Sequence, residues 1–247
     1  MAGHNKWKQI KRKKAVTDSR RGAHFTKLIK EITVAARTGG GDPAGNARLR
    51  FAIDTAKQAN MPLENIERAV KKGTGALEGI QYEEITYEGY GPGGAAILVD
   101  VTTDNANRSV ADIRHIFDKY GGKFGATGSV AYLFDKRGQV YVDAARHEED
   151  AVMEAALDAG ATDFAREGEQ YVISTGVTDL HLVQEGLKAR GIVVESAEIA
   201  MTPKTTVKVE GKHAESLMKL MEVLEEHDDV SKLSSNFDVD LEALAGV

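Results

Sequence analysis

The sequence predicts an α+β protein, with a helical N-terminal domain followed by two α/β sandwich-type domains. Apolar residues recur at helical spacing before residue 80, and from there on they alternate as they do in strands. Across 136–203 the patterns follow the order strand, helix, strand, strand, helix, strand, which is the ferredoxin-like βαββαβ order. The segments on either side are each too small to close a sheet alone. We therefore expect a ferredoxin-like domain over 136–203, inserted in a discontinuous domain made of 80–135 and 204–247.

Residues 1–79 are predicted to form a basic arm and a three-helix bundle. Apolar side chains at positions 25, 28, 29, 32 and 36 indicate a first amphipathic helix, which the glycines of 39–41 end. The same spacing resumes between Leu49 and Ala56. Pro62 then opens a third helix, and Gly73 closes it.

The discontinuous domain begins with two strands joined by a glycine-rich turn, EEITYEGYGPGGAAILVDVTTD. A helix is predicted in NRSVADIRHIFDKYGG and a further strand in GSVAYLF. After the inserted domain, TTVKVE, GKHAESLMKLMEVLEEHDD and VSKLSSNFDV predict a strand, a helix and a strand. These late elements are expected to pair with the early ones.

Composition excludes several classes of protein. Hydrophobic residues make up 42% and charged residues 28% of the chain, and no window approaches the ~18 consecutive apolar residues of a membrane span. We therefore expect no membrane partner. The chain has no cysteine, which excludes disulfides and thiolate metal sites. The N-terminus has no apolar region of a secretory signal, so we expect a cytoplasmic protein.

Charge is distributed very unevenly along the chain. Residues 1–72 contain 17 Lys and Arg against 6 Asp and Glu, a net charge of +11, whereas the remainder has a net charge of −17. Such asymmetry indicates that the basic part binds a polyanion, above all a nucleic acid. The alternative is a solvated arm that folds back on its own acidic domains.

The basic arm supplies most of the candidate nucleic-acid contacts. Lysine and arginine side chains would neutralise phosphates with release of counterions, and the single tryptophan would stack on a base or serve as a packing anchor. Two lysines of the first helix would extend the footprint. The candidates are Lys6, Trp7, Lys8, Lys11, Arg12, Lys13, Lys14, Arg20, Arg21, Lys27 and Lys30.

Arg108 is the one candidate outside the basic region. Asp104 or Asn105 suits the N-cap of the following helix, so Arg108 falls in its first turn, where the helix dipole disfavours a cation. An arginine there needs an anion. That anion is either a carboxylate of the same chain or a phosphate held jointly by Arg108 and the helix N-terminus.

Other motifs give no support for catalysis. Gly89–Gly94 matches G-x-G-x-x-G, but a strand pattern follows the glycines, so we interpret them as a hairpin turn rather than a dinucleotide site. The seven histidines show no zinc-ligand spacing, and the acidic runs at 148–150 and 225–229 are interpreted as solvated faces. No nucleophile and base stand at recognisable spacing. We expect no enzyme, no cofactor and no metal.

Six ordered motifs resemble the YebC/PmpR family, which includes a mitochondrial translational activator of cytochrome c oxidase. They lie between Met1 and Phe134, in the order MAGHNKW, RRGAHFTKL, GGGDPAGNARLR, YEGYGPGGAAILV, TDNANRSVADIR and GGKFGATGSVAYLF, and the resemblance extends over almost the whole chain. Asn5 departs from the usual serine, and Ala23 and His24 from a common Lys-Ile pair. The resemblance implies a non-enzymatic three-domain protein. Because the MAGH motif begins at Met1, no mitochondrial presequence is expected, which favours a bacterial cytoplasmic protein.

The resemblance implies two functions with different physical demands. Members of the family are labelled probable transcriptional regulators that bind DNA, or resemble translation factors that act at the ribosome and relieve stalling. A specific DNA regulator must read base edges, usually as a dimer, and no such reader is evident. A cationic arm on an acidic body suits rRNA, and we expect a monomer. A third hypothesis is a small-ligand sensor in the ferredoxin-like domain.

Overall fold

The computed structural model describes residues 19–239, which divide into two compact bodies. The larger body comprises 19–131, Val209–Leu233 and Val239. The smaller body comprises Tyr132–Lys208 and Ser234–Asp238. Among the residues described, no helix is both long and apolar enough to cross a membrane.

The fold contains helices and strands in the mixed order of an α+β protein. The helices are α1 (Ser19–Gly39), α2 (Ala47–Gln58), α3 (Leu63–Gly73), α4 (Ala106–Lys119), α5 (Glu149–Asp158), α6 (Leu180–Ala189) and α7 (Gly211–Glu226). The strands are β1 (Glu83–Tyr90), β2 (Ala96–Thr103), β3 (Lys123–Phe124), β4 (Phe134–Asp143), β5 (Asp163–Glu167), β6 (Gln170–Thr175), β7 (Val194–Pro203), β8 (Val207–Lys208), β9 (Val230–Ser235) and β10 (Phe237–Asp238).

The three predicted N-terminal helices are present as α1, α2 and α3. They enclose a core that includes Ile32, Leu49 and Ile66, at the positions that the helical spacing predicts. Helix α1 starts at Ser19, several residues before its apolar stripe. Gly73 allows α1 and α3 to approach closely, because a Cβ atom there would collide with the backbone oxygen of Thr33.

The first sheet has the strand order β3-β1-β2-β9, so early and late segments of the chain pair as expected. Strands β1 and β2 form an antiparallel hairpin in which Tyr90 lies opposite Ala96. The turn between them is a short 3-10 segment, Pro92–Gly94, and Gly93 has a φ of 77° that favours glycine. Because β2 and not a helix follows these glycines, the geometry of a dinucleotide-binding turn is missing there.

The smaller body contains the second sheet, with antiparallel strands in the order β5-β6-β4-β7. Helices α5 and α6 connect β4 to β5 and β6 to β7. Buried residues of both helices and the sheet, including Val140, Ile173 and Leu187, form one core. The short strands β8 and β10 pair in parallel.

The strand predicted in GSVAYLF does not form. Backbone N–H groups of Val130 and Ala131 donate to the carboxylate of Glu88 instead of to a neighbouring strand. A 3-10 turn follows over Ala131–Leu133, and β4 starts only at Phe134. A carboxylate more than forty positions away in the sequence thus accepts the N–H groups that a sheet would have used.

Candidate nucleic-acid interface

Most of the predicted arm contacts lie outside the described residues. These are Lys6, Trp7, Lys8, Lys11, Arg12, Lys13 and Lys14. Arg20 and Arg21 lie in the first turn of α1. The remaining candidates, Lys27, Lys30 and Arg108, all belong to the larger body, where their surroundings are defined.

Lys30 is directed inwards rather than towards solvent. Its residue surface is only 8% exposed, and its Nζ atom lies 2.7 Å from the Asp229 carboxylate. The same ammonium donates to the backbone oxygens of Thr102 at 3.2 Å and Asp228 at 3.0 Å. Its three donors are therefore satisfied within the protein, because a buried ammonium needs this compensation.

Asp229 is the centre of a buried polar cluster that the sequence did not reveal. It is 4% exposed, although the run at 225–229 was predicted to be solvated. Besides Lys30, its carboxylate accepts hydrogen bonds from Arg108 at 3.0 Å, Ser109 Oγ at 2.7 Å and Thr103 Oγ1 at 3.1 Å. Burial opposes ionisation, but the hydrogen bonds from Lys30, Ser109 and Arg108 outweigh it and hold the pKa of Asp229 well below its usual range.

The anion that Arg108 needs is a carboxylate of the same chain, the first of the two alternatives that the sequence left open. Asn105 is the N-cap of α4 and accepts the backbone N–H of Arg108 at 3.1 Å. The guanidinium forms ion pairs with Asp104 at 2.7 Å and Asp229 at 3.0 Å. The anion beside Arg108 is therefore a pair of carboxylates of the same chain and not a phosphate. About half of the Arg108 side chain is still exposed.

Lys27 also contacts the segment that precedes Asp229. Its Nζ donates to the backbone oxygen of Glu225, near the C-terminus of α7. A cation at that end complements the helix dipole. Lys27 and Lys30 thus join α1 to the region between α7 and β9 within the larger body.

Four cations outside the predicted set are better placed to meet a polyanion. Arg48 on α2 is not one of these four, because it forms ion pairs with Glu31 and Glu84. The four are exposed, and none forms an ion pair with any residue between 19 and 239. These four unpaired cations are Arg50 and Lys57 on α2 and Lys71 and Lys72 at the end of α3.

Helices α2 and α3 are joined by a short turn of residues 59–62. Asn60 adopts a φ of 58°, and the N–H of Met61 bonds to the oxygen of Ala56. A turn of this length also occurs in helix-turn-helix motifs, whose second helix reads DNA with its N-terminal residues. In α3 those positions include exposed Glu64 and Glu67, which would repel phosphates.

Metal ligands are not assembled in the part of the chain that the structure describes. No three His, Asp or Glu side chains there are grouped so that they could hold an ion.

Family comparisons cover nearly the whole chain. The model for the TACO1/YebC protein N-terminal domain matches residues 5–76, and the model for the TACO1/YebC second and third domain matches 82–237. A probable transcriptional regulatory protein of Gemmatimonas aurantiaca is 56% identical over 245 residues, with 99% of each chain covered. One of Acidithiobacillus ferrooxidans is 54% identical over 245 residues, covering 99% of this chain and 98% of its own.

A solved structure shows the same architecture. The conserved hypothetical protein Aq1575 of Aquifex aeolicus is 47% identical and superposes with a TM-score of 0.85, over 92% of this chain and 94% of its own. Its likeness covers the three N-terminal helices and both antiparallel sheets. The chain therefore belongs to the TACO1/YebC family, a non-enzymatic family of probable transcriptional regulators.

Proposed function

We propose that this protein is a nucleic-acid-binding regulator of gene expression. The observation that carries the proposal is the charge polarity, with a net charge of +11 over residues 1–72 and −17 over the remainder. A cationic segment gains affinity for phosphates by releasing counterions, whereas the acidic remainder is repelled by them. The four unpaired cations of α2 and α3 support this, since they are exposed cationic side chains on the folded part of the basic region. The names of the relatives favour DNA as the target.

A second candidate function is a ribosome-associated translation factor that binds rRNA and relieves stalling. The acidic start of α3 favours it, because Glu64 and Glu67 occupy the positions with which a recognition helix would approach DNA bases. Binding through phosphates alone requires no such reader and suits a folded RNA surface.

We also propose the three-domain division expected from the sequence, with 136–203 as an inserted ferredoxin-like domain. The strand order β5-β6-β4-β7 and the helices that connect its strands support this. Residues 1–79 would then be one domain, and 80–135 with 204–247 another.

Sedimentation of tagged protein from cell lysate through a sucrose gradient tests the proposed function. The full chain is compared with a variant that lacks residues 1–18, because α1 starts at Ser19 and should remain intact. Each sample is treated with RNase, with DNase or with neither. A control for the loss of positive charge elsewhere replaces Lys136 and Lys212, two exposed lysines outside the basic region, with glutamine.

Arm-dependent migration with ribosomes that survives DNase would establish the translation factor. DNase-sensitive association with chromosomal DNA would establish the transcriptional regulator. Migration of the full chain as a free protein under every treatment would contradict both forms of the proposal.

A further inference from the structure

An open pocket of about 640 Å³ lies in the larger body, between β1, β3 and α4. None of the predicted nucleic-acid contacts lines it. Its walls include Tyr87, Arg114, Asp118, Lys123, Phe124 and Thr127. Aromatic rings, two cations and a hydroxyl therefore face one cavity large enough for a nucleotide.

In the lining of the pocket, a cation lies over an aromatic ring. The guanidinium carbon of Arg114 lies 5.2 Å from the ring centroid of Phe124. That ring is itself supported by Tyr87 at 5.7 Å and by the buried Phe117 at 6.0 Å. Arg114 forms no ion pair with residues 19–239, so the ring of Phe124 is the contact that the structure shows for its guanidinium.

The rim of the pocket is held by the buried carboxylate of Glu88. It accepts backbone N–H groups from Gly128 at 2.6 Å, Val130 at 2.7 Å and Ala131 at 2.8 Å. The backbone oxygen of Glu88 also accepts the N–H of Gly125 at 2.8 Å. These bonds fix the loop 125–131 before any ligand arrives, which reduces the entropic cost of binding.

The charges in the pocket favour an anion. Arg114 and Lys123 are exposed and lack carboxylate partners among the described residues. The carboxylate of Glu88, in contrast, is buried and accepts backbone N–H groups of the loop 125–131. Asp118 is the remaining carboxylate in the lining. A ligand with a flat π-face and a phosphate matches a guanidinium plane beside a lysine.

We propose that this pocket binds an unpaired nucleotide of single-stranded RNA. The base stacks on the Arg114 guanidinium over Phe124, and Lys123 meets the adjacent phosphate. Proteins that recognise RNA characteristically hold unstacked bases on aromatic rings and arginine planes. This inference rests on the proposed function, and it adds a site between β1, β3 and α4 to the exposed cations of α2 and α3.

The test measures binding of the full chain to a fluorescein-labelled single-stranded 12-mer RNA by anisotropy. Arg114→Ala removes the charge and the plane, and Arg114→Lys removes the plane alone. Lys119→Ala is the matched control, because Lys119 lies on the same helix, over the ring of Tyr120 at 5.4 Å, and does not line the pocket. Circular dichroism confirms that all variants are folded. Competitors are the single-stranded DNA of the same sequence, an RNA duplex and uridine monophosphate.

We expect Arg114→Ala to weaken RNA binding about tenfold, Arg114→Lys to lose most of the same factor, and Lys119→Ala to change it less than about twofold. RNA that carries 4-thiouridine should cross-link to a peptide containing Tyr87 or Phe124. If the Arg114 variants bind like Lys119→Ala, the pocket is not the site, although nucleic-acid binding stands. If the wild-type chain binds neither RNA nor DNA, the proposed function itself fails. Equal competition by the RNA duplex, by single-stranded DNA or by the mononucleotide would overturn unpaired RNA as the ligand.

Discussion

Lys30 and Asp229 are 199 positions apart in the sequence, yet they form a buried ion pair with an N–O distance of 2.7 Å. The pair joins α1 to the residue that precedes β9, inside the larger body. A lysine that the sequence assigns to a nucleic-acid footprint is therefore part of the folded core. Any contact of Lys30 with a phosphate would first require this pair to open.

Replacing Asp229 with asparagine should destabilise the protein by about 3–5 kcal/mol, because Lys30 would be left buried without a counter-charge. Urea unfolding followed by circular dichroism measures the change. Asp104→Asn is the control, since Asp104 pairs with the same Arg108 at the exposed surface, and its loss should cost less than about 1 kcal/mol. Equal stability of the two variants would contradict the role assigned to Asp229.

The buried cluster around Asp229 also predicts how the free energy of unfolding depends on pH. Because the folded-state pKa of Asp229 is depressed, its stabilising contribution is present above its unfolded pKa of about 4 and is lost as the pH falls below that value. The stability difference between the wild type and Asp229→Asn should therefore be largest at neutral pH and shrink below about pH 4. Urea titrations at several pH values measure this difference. A difference that stays constant down to pH 2.5 would contradict the assignment.

How much the sequence predicts can be judged from α4 and the segment after it. Asn105, one of the two residues predicted as N-cap, caps this helix, and Ile113 and Phe117 are buried within the predicted helix, because these features depend on neighbours within one or two helical turns. Asp229 could not be found in this way, since its partners lie 120 or more positions away and the acidic run around it is typical of a solvated face. The failed strand in GSVAYLF has a similar cause, because its competitor Glu88 lies some forty residues earlier.

The candidate interface was predicted less completely than the fold. Clustering of basic residues along the chain identifies the arm, but it does not show which cations have partners. Lys30 and Arg108 are paired, whereas Arg50 and Lys57, separated by seven residues on α2, form no ion pair with the residues that the structure describes. Pairing is a property of the folded chain, so no count of charges along the sequence could separate these two groups.

Glu88→Gln should loosen the loop 125–131. A neutral amide keeps one acceptor oxygen and turns N–H donors towards backbone N–H groups, so at least one buried donor loses its partner, at a cost of about 1–3 kcal/mol. Hydrogen exchange of the amides of Gly128, Val130 and Ala131 should accelerate in this variant. Glu83→Gln, an exposed change on the same strand, is the control. Unchanged exchange at all three amides would show that the carboxylate does not hold the loop.

Neutralising the four unpaired cations should flatten the salt dependence of nucleic-acid binding. Each lost phosphate contact lowers the slope of log K against log salt concentration by about 0.7–0.9, because fewer counterions are released. The variants are Arg50→Gln with Lys57→Gln on α2, and Lys71→Gln with Lys72→Gln on α3. The slope is measured by fluorescence anisotropy with labelled RNA and labelled DNA, at salt concentrations from about 50 to about 200 mM.

The matched control for these double variants is Lys136→Gln with Lys212→Gln, which removes the same charge at exposed positions outside the basic region. A general effect of net charge would change the affinity of all three double variants alike and would leave their slopes nearly equal. Direct phosphate contact lowers the slope only for the α2 and α3 variants. If the control flattens the slope as much as they do, α2 and α3 do not contact the nucleic acid.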